Sequence, residues 1–350
     1  MDGIVIPTGE IIKEYLDVRG FSQKDVSART KVSEKHLSNL LTGKARLTED
    51  MALKLEKLMP DVPASYWLNY ERKYREALAR QKEAAGLEEL DLETISKKFH
   101  FKEVFPHTSM SLVEQAIEML KLLNVSRFDL YRAAVSGGVE FMQDGGDDEA
   151  IVVWIKLCED EVEEQNKELD RIPYNSELLK KSLEKLKKVA LNPNIDESIA
   201  SARKLLNKCG VYLVDRPAIS NAKVRGALTT YNEHPSIFIS KRHKTHDHVW
   251  FTLVHELAHL ILHYDSRQTV VYMEDLESEE SKDREANLFA RAFFVDGDAY
   301  NAFTDAKAFT CGGICEFAKS QSVDPGIIVG FLQHDGFLDY SQFSDLKTYC

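Results

Sequence analysis

Two histidines four residues apart, His255 and His259, bracket a short stretch that also holds Glu256, within the run Trp250 to His263. On a helix, residues four apart lie one above the other on the same face, so both imidazoles can aim at a single metal ion. Glu256, beside them, is placed to take a proton from water that the metal activates. The H-E-x-x-H spacing predicts zinc, and peptide-bond hydrolysis is the chemistry that zinc most often serves in this setting. The flanking residues strengthen the reading. Phe251, Leu253, Val254, Leu257, Ala258, Leu260, Ile261 and Leu262 make the helix apolar nearly all round, which predicts a place deep in a core. Two histidines and a glutamate buried there need partners, because burying them unpaired is costly, and a metal supplies one.

The third ligand has to come from elsewhere. His263 lies about 12 Å of helix rise beyond His255, too far for two bonds of about 2.0–2.1 Å to meet. It reads as a structural residue at the helix C-terminus, where a partly positive ring suits the dipole. The best downstream carboxylate is Glu285, in a second helix running from Asp283 to Phe294. Leu288, Phe289, Ala292 and Phe293 read as that helix's apolar face, with Glu285 one turn earlier. Glu277, Glu279 and Glu280 are weaker candidates in an acidic run that reads as a loop. Tyr264, Tyr231 and His334 are candidates for the donor that an oxyanion would need.

A chain of 350 residues predicts two or three domains. No apolar run approaches the ~18–20 residues of a membrane span, and the first ten residues show no signal-peptide pattern. Five scattered cysteines fit a reducing cytosol better than a disulfide framework, so a cytoplasmic protein is expected. The net charge is −12, but it is unevenly spread. Residues 1–80 carry 14 Lys and Arg against 12 Asp and Glu, and the remainder carries 31 against 45. The slightly basic start permits binding to DNA; the acidic balance belongs to the rest.

The first 80 residues read as five short helices. Thr8 is placed to cap the first, which buries Ile11, Ile12, Tyr15 and Leu16 and stops at Gly20. Ser22 caps the second, with Val26 and Ala28 inward; Ser33 caps the third, Glu34 to Leu41. Thr48 caps the fourth, and the fifth runs from Ala64 to about Lys82. Two short helices across a tight turn describe a helix-turn-helix domain. The recognition helix spans Ser33 to Leu41, with Ser33, Glu34, Lys35, Ser38 and Asn39 toward base edges. Gln23, Lys24, Thr42 and Lys44 are placed for phosphates. One such unit reads one half-site, so a homodimer on operator DNA is expected.

Residues 81–194 read as a helical linker or interaction region. Gly86 and the acidic Leu87 to Asp91 mark a joint, and the helices are Leu112 to Leu123, Phe128 to Val135, Ala150 to Leu169 and Ser176 to Leu191. Gly137-Gly138 and Asp144 to Asp148 punctuate them, and Glu159 to Glu164 reads as a solvated face. From residue 195 to 350 the pattern changes. A helix from Ile195 to Cys209 precedes strands at Val211 to Val214, Gly226 to Tyr231 and Ser236 to Ser240, with a hairpin turn at Asn232 to Pro235. An extended substrate would add to an edge strand near Ile237 to Ser240. The fold class expected is mainly α, with a small α+β zincin-like domain built from a small sheet and two metal-bearing helices.

Two resemblances attach to these segments. Phe21 to Val26, Val32 to Ala45 and Leu47 to Glu56 resemble the Xre family of helix-turn-helix regulators, and within it the HigA-type antitoxins. Lys31 departs from the glycine that family often has in the turn. The segments Gly226-Ala227, Pro235 to Ser240, Trp250 to His263, Glu285 to Ala290 and Asp324 to Gly336 resemble, in order, the ImmA/IrrE family of metallopeptidases. That resemblance covers roughly residues 195–338 and implies His255, His259 and Glu285 as zinc ligands, with Glu256 as general base. Val295-Asp296 departs from the Met-Pro usual after the ligand helix. Together the two resemblances imply a DNA-binding regulator or antitoxin whose zinc endopeptidase cleaves a protein partner, a repressor or a toxin. They imply a setting in stress response, mobile-element control or a toxin–antitoxin pair. The alternative is an antitoxin and autorepressor that acts by binding, with a structural or inactive zinc site.

Overall fold

The computed structural model describes residues 6–135, 147–165, 169–242, 244–267, 269–273, 281–307 and 309–349. The expected punctuation at Gly137-Gly138 and most of Asp144 to Asp148, and the candidates Glu277, Glu279 and Glu280, lie outside them. The chain divides into two compact units, Met1–Leu92 and Glu93–Cys350.

The first unit holds five helices: α1 (Thr8–Val18), α2 (Gln23–Thr30), α3 (Glu34–Leu41), α4 (Glu49–Leu58) and α5 (Ala64–Glu88). Ile12, Leu16, Val26, Leu37, Leu40, Met51, Leu55 and Trp67 are its centre. Gly9 is needed where α1 meets α3, since a Cβ there would fall 2.0 Å from the Leu40 carbonyl oxygen. Ser22, Ser33 and Thr48 cap α2, α3 and α4 through their side chains, as expected. Three details differ from the sequence reading. Pro7, not Thr8, precedes the first turn, and the Thr8 hydroxyl is buried within the helix. In α2 the inward residues are Val26 and Thr30, four apart; Ala28 sits between them on the exposed face. Helix α5 continues through Gly86 to Glu88, so only the Glu89 to Asp91 part of the expected joint breaks the helix.

In the second unit, α6 (Leu92–Lys98), α7 (Phe101–Val104), α8 (Leu112–Leu122), α9 (Asp148–Gln165), α10 (Ser176–Val189) and α11 (Ile195–Asn207) precede the sheet. Phe128–Ala134 is a 3-10 helix. The sheet has strands β1 (Tyr212–Asp215), β2 (Val224–Tyr231), β3 (His234–Ile239) and β4 (Val270–Met273), in the order β1-β3-β2-β4. Between β3 and β4 runs α12 (His246–Leu262), and α13 (Ser281–Phe294), α14 (Gly297–Asp305), α15 (Cys311–Gln321) and α16 (Pro325–His334) follow.

The middle helices are joined to the sheet rather than set apart from it. Trp154 of α9 donates from Nε1 to the Arg216 carbonyl at 3.0 Å and meets Phe238 edge-on. The acidic run on α9 is engaged, not merely solvated: Glu159 pairs with Lys156, Glu161 with Arg216, and Glu163 accepts from the Tyr231 hydroxyl. Turn residues Asn232 and Glu233, both with positive φ, make the tight hairpin between β2 and β3. Strand β3 is interior, parallel to β1 and antiparallel to β2, so residues 237–239 offer no free edge to a peptide. The edges are β1 and β4. Strand β4 was not anticipated, although Thr269-Val270-Val271-Tyr272 is a β-branched and aromatic run of the kind that forms one.

Candidate metal centre and nucleic-acid interface

Helix α12 is buried along nearly its whole length, from His246 to Leu260. Trp250 ties it to α11 by donating to the Ser198 hydroxyl at 3.1 Å. At its N-terminus, Asp247 forms an ion pair with Lys347 at 2.8 Å, and the His246 amide bonds the Thr348 carbonyl. The helix is thereby held against α11 and at its start.

Nε2 of His255 and Nε2 of His259 face each other 3.0 Å apart. Two nitrogens so placed cannot both carry protons, so a lone pair is directed into the gap. Oδ1 of Asp283, on α13, lies 3.0 Å from the His259 nitrogen and 4.0 Å from the His255 nitrogen. These three ligand atoms lie within 4.8 Å of one another. Burial, and then the neighbouring His259, hold the His255 imidazole well below its usual range, which keeps it neutral as a metal ligand must be. Asn287, one turn after Asp283, places Oδ1 at 2.9 Å from Nδ1 of His255. With Nδ1–H donating to that amide, Nε2 carries the lone pair that a metal would take.

Glu256 is wholly enclosed, and neither carboxylate oxygen has a hydrogen-bond partner among the described residues. Burial, with the nearby Asp283 charge second, raises its carboxyl well above the usual range. Two imidazole nitrogens and a carboxylate oxygen converging beside an orphaned glutamate suit a divalent cation with nitrogen and oxygen ligands, and this is the donor set of catalytic zinc sites.

Glu285 does not join this group. Its side chain is 58% exposed and meets Nε2 of His263 at 3.0 Å. The reason is helical phase. The inward residues of α13 are Ala286, Ala290 and Phe294, with Asp283 and Asn287 beside them, whereas Leu288 is 60% exposed. Two residues further along a helix is 200° around it, so a face that takes in Asp283 turns Glu285 outward. The signal that would have found Asp283 and Asn287 is their spacing of four, combined with small alanines on the same face. His263 ends α12 as its C-cap. The three oxyanion candidates bond elsewhere: Tyr264 with the Thr230 hydroxyl at 2.8 Å, Tyr231 with Glu163, and His334 with Asp335 at 3.2 Å. Val295 is buried and Asp296 caps α14.

In the first unit, Lys31 turns the chain between α2 and α3 with φ 56°. Gln23, Lys24, Ser33, Glu34, Lys35, Thr42 and Lys44 are exposed; Ser38 and Asn39 are half-buried. His36, not singled out from the sequence, joins the exposed side of α3.

Comparison with known proteins separates the same two parts. Residues 12–67 match the helix-turn-helix family model, and residues 209–307 match the IrrE N-terminal-like domain, a peptidase family. The chain is 36% identical over 73 residues to the uncharacterized HTH-type transcriptional regulator YddM of Escherichia coli. That stretch is 21% of this chain and 77% of the relative. The chain thus belongs to the helix-turn-helix family through its N-terminal unit, and its C-terminal unit carries a peptidase-family domain. No helix among the described residues is long and apolar enough to cross a membrane.

Proposed function

We propose that this protein is a DNA-binding transcriptional regulator whose second unit is a zinc-dependent endopeptidase acting on a specific protein partner. The observation that carries the reading is the convergence of His255, His259 and Asp283 beside the enclosed, unpartnered carboxylate of Glu256. His255, His259 and Asp283 would hold the ion. A bound zinc supplies Lewis acidity toward a scissile carbonyl and lowers the pKa of water to about 7. Glu256 is the proton carrier: its carboxylate takes a proton from the attacking water and returns it to the leaving amine nitrogen. Asn287 orients His255 through Nδ1.

The exposed residues of α2 and α3 would meet operator DNA, with Ser33, Glu34, Lys35, Ser38 and Asn39 toward base edges and Gln23, Lys24 and Lys44 toward phosphates. A cytoplasmic homodimer on a two-fold operator follows from that mode of reading. A repressor or toxin encoded nearby is the substrate class such a fusion would serve, in stress response, mobile-element control or a toxin–antitoxin pair. A HigA-like regulator that acts by binding alone, its metal purely structural, is the second reading. Against it stands Glu256 itself, because a purely structural site has no use for an unpartnered carboxylate beside the ligands.

The test expresses the wild type and Glu256→Gln in the native host and maps new protein N-termini by mass spectrometry. A neo-N-terminus formed only with the wild type supports the peptidase and names its substrate. Identical profiles in resting and stressed cells, with metal bound in both proteins, support the binding-only regulator.

A further inference from the structure

Gly226 lies inside β2, paired with Ile239 of β3 and Tyr272 of β4, at the point where the β2–β4 register is irregular. A glycine in a strand interior weakens the strand, so it needs a reason. Backbone conformation is not that reason, because Gly226 is not among the glycines with positive φ. The reason is what faces it. A Cβ at this position would stand 2.7 Å from Oε1 of Glu256, 3.1 Å from its Cγ and 2.8 Å from Cγ2 of Thr252. Thr252 and Glu256 are four residues apart on α12, so one stripe of that helix rests directly on the bare backbone of β2.

No hydrogen bond among the described residues holds the Glu256 carboxylate. Among the described residues, packing sets its position. We infer that Gly226 is a positioning residue for Glu256: the missing side chain is the slot in which the carboxylate lies, and it fixes how far the base stands from the metal ligands. The inference rests on Glu256 acting as the base. The nearest obstructing atom is the end of a flexible side chain, so a methyl group at 226 displaces the carboxylate more readily than the sheet. A base has to lie within about 2.6–3.2 Å of the atom whose proton it takes, and a misplacement near 1 Å costs on the order of 100-fold.

The experiment loads full-length protein with cobalt(II) and titrates acetohydroxamate, a chelating probe that also hydrogen-bonds the neighbouring carboxyl group. Its affinity is read from the visible spectrum. Gly226→Ala should take up cobalt as the wild type does, since no ligand is touched, yet bind the probe about 10-fold more weakly. Glu256→Gln serves as the reference for a base that is present but altered. Wild-type affinity in Gly226→Ala overturns the inference. If Gly226→Ala does not fold, Gly226→Ala with Thr252→Ser removes the methyl contact and leaves the one to Glu256. Failure of both to fold also overturns it, because the glycine then serves backbone packing alone. Failure of the wild type itself to bind cobalt instead refutes the metal site, and the inference falls with it.

Discussion

Oδ1 of Asn287 lies 2.9 Å from Nδ1 of His255, one helical turn beyond the carboxylate that meets His259. Two residues four apart on α13 therefore serve two histidines four apart on α12, one as a candidate ligand and one as an orienting partner. Partners of this kind fix ring orientation and tautomer, and their loss costs about 10- to 100-fold in metal affinity. Asn287→Leu should lower zinc affinity by that factor while leaving the fold intact. Competition against a chelator of known affinity measures it.

The buried pair of Asp247 and Lys347 ties the segment after α16 to the start of the metal helix; each side chain is only 7% exposed. Removing one partner of such a pair costs about 3–5 kcal/mol, because the other charge is left buried and unpaired. Asp247→Asn should lower the unfolding free energy of the second unit by that order. Neighbouring His248 and Lys347 outweigh burial and hold the Asp247 carboxyl well below the usual carboxylate range. A folded-state pKa below the unfolded value gives stability that is full above the unfolded pKa and is lost as pH falls through the folded one. The gap between wild type and Asp247→Asn should shrink as the pH falls below about 5. Denaturant unfolding at stepped pH tests this; a gap that widens in acid contradicts it.

Lys31 holds φ 56° in the turn between α2 and α3. A side chain in the left-handed region costs roughly 1 kcal/mol that glycine does not incur. Lys31→Gly should raise the melting temperature of the first unit by about 4–8 °C. Calorimetry on the full chain resolves it.

The DNA-facing residues make separable predictions once a bound fragment has been selected from genomic DNA. Lys24→Ala should weaken binding to all sequences alike and reduce the slope of log affinity against log salt by about 1. Asn39→Ala should instead relax discrimination at one base position, worth about 1–3 kcal/mol. Electrophoretic or fluorescence titrations at several salt concentrations distinguish the two.

The parts of the site that are local in sequence were legible, and the part that depends on helix rotation was not. His255, Glu256 and His259 share one helix, so their spacing alone sets their relation, and caps such as Ser22, Ser33 and Thr48 act within three residues. Which carboxylate of α13 approaches the two histidines depends on the face that turns inward. Weighting its large residues, Leu288 and Phe289, selects Glu285; the helix instead buries the small Ala286 and Ala290 and presents Asp283. Large side chains carry the strongest sequence signal, but close approach of two helices favours small ones. Strand β3 was read as an edge because strand order is a long-range property. Its pairing with both β1 and β2 is written in no local pattern.

On the proposed reading, His255, His259 and Asp283 together hold one metal ion. Zinc content by mass spectrometry of the native protein, with affinity by chelator competition, tests it on three proteins: wild type, Asp283→Ala and Glu285→Ala. About one zinc per chain is expected in the wild type and in Glu285→Ala, and a loss of zinc in Asp283→Ala. Zinc kept by Asp283→Ala and lost by Glu285→Ala would contradict it.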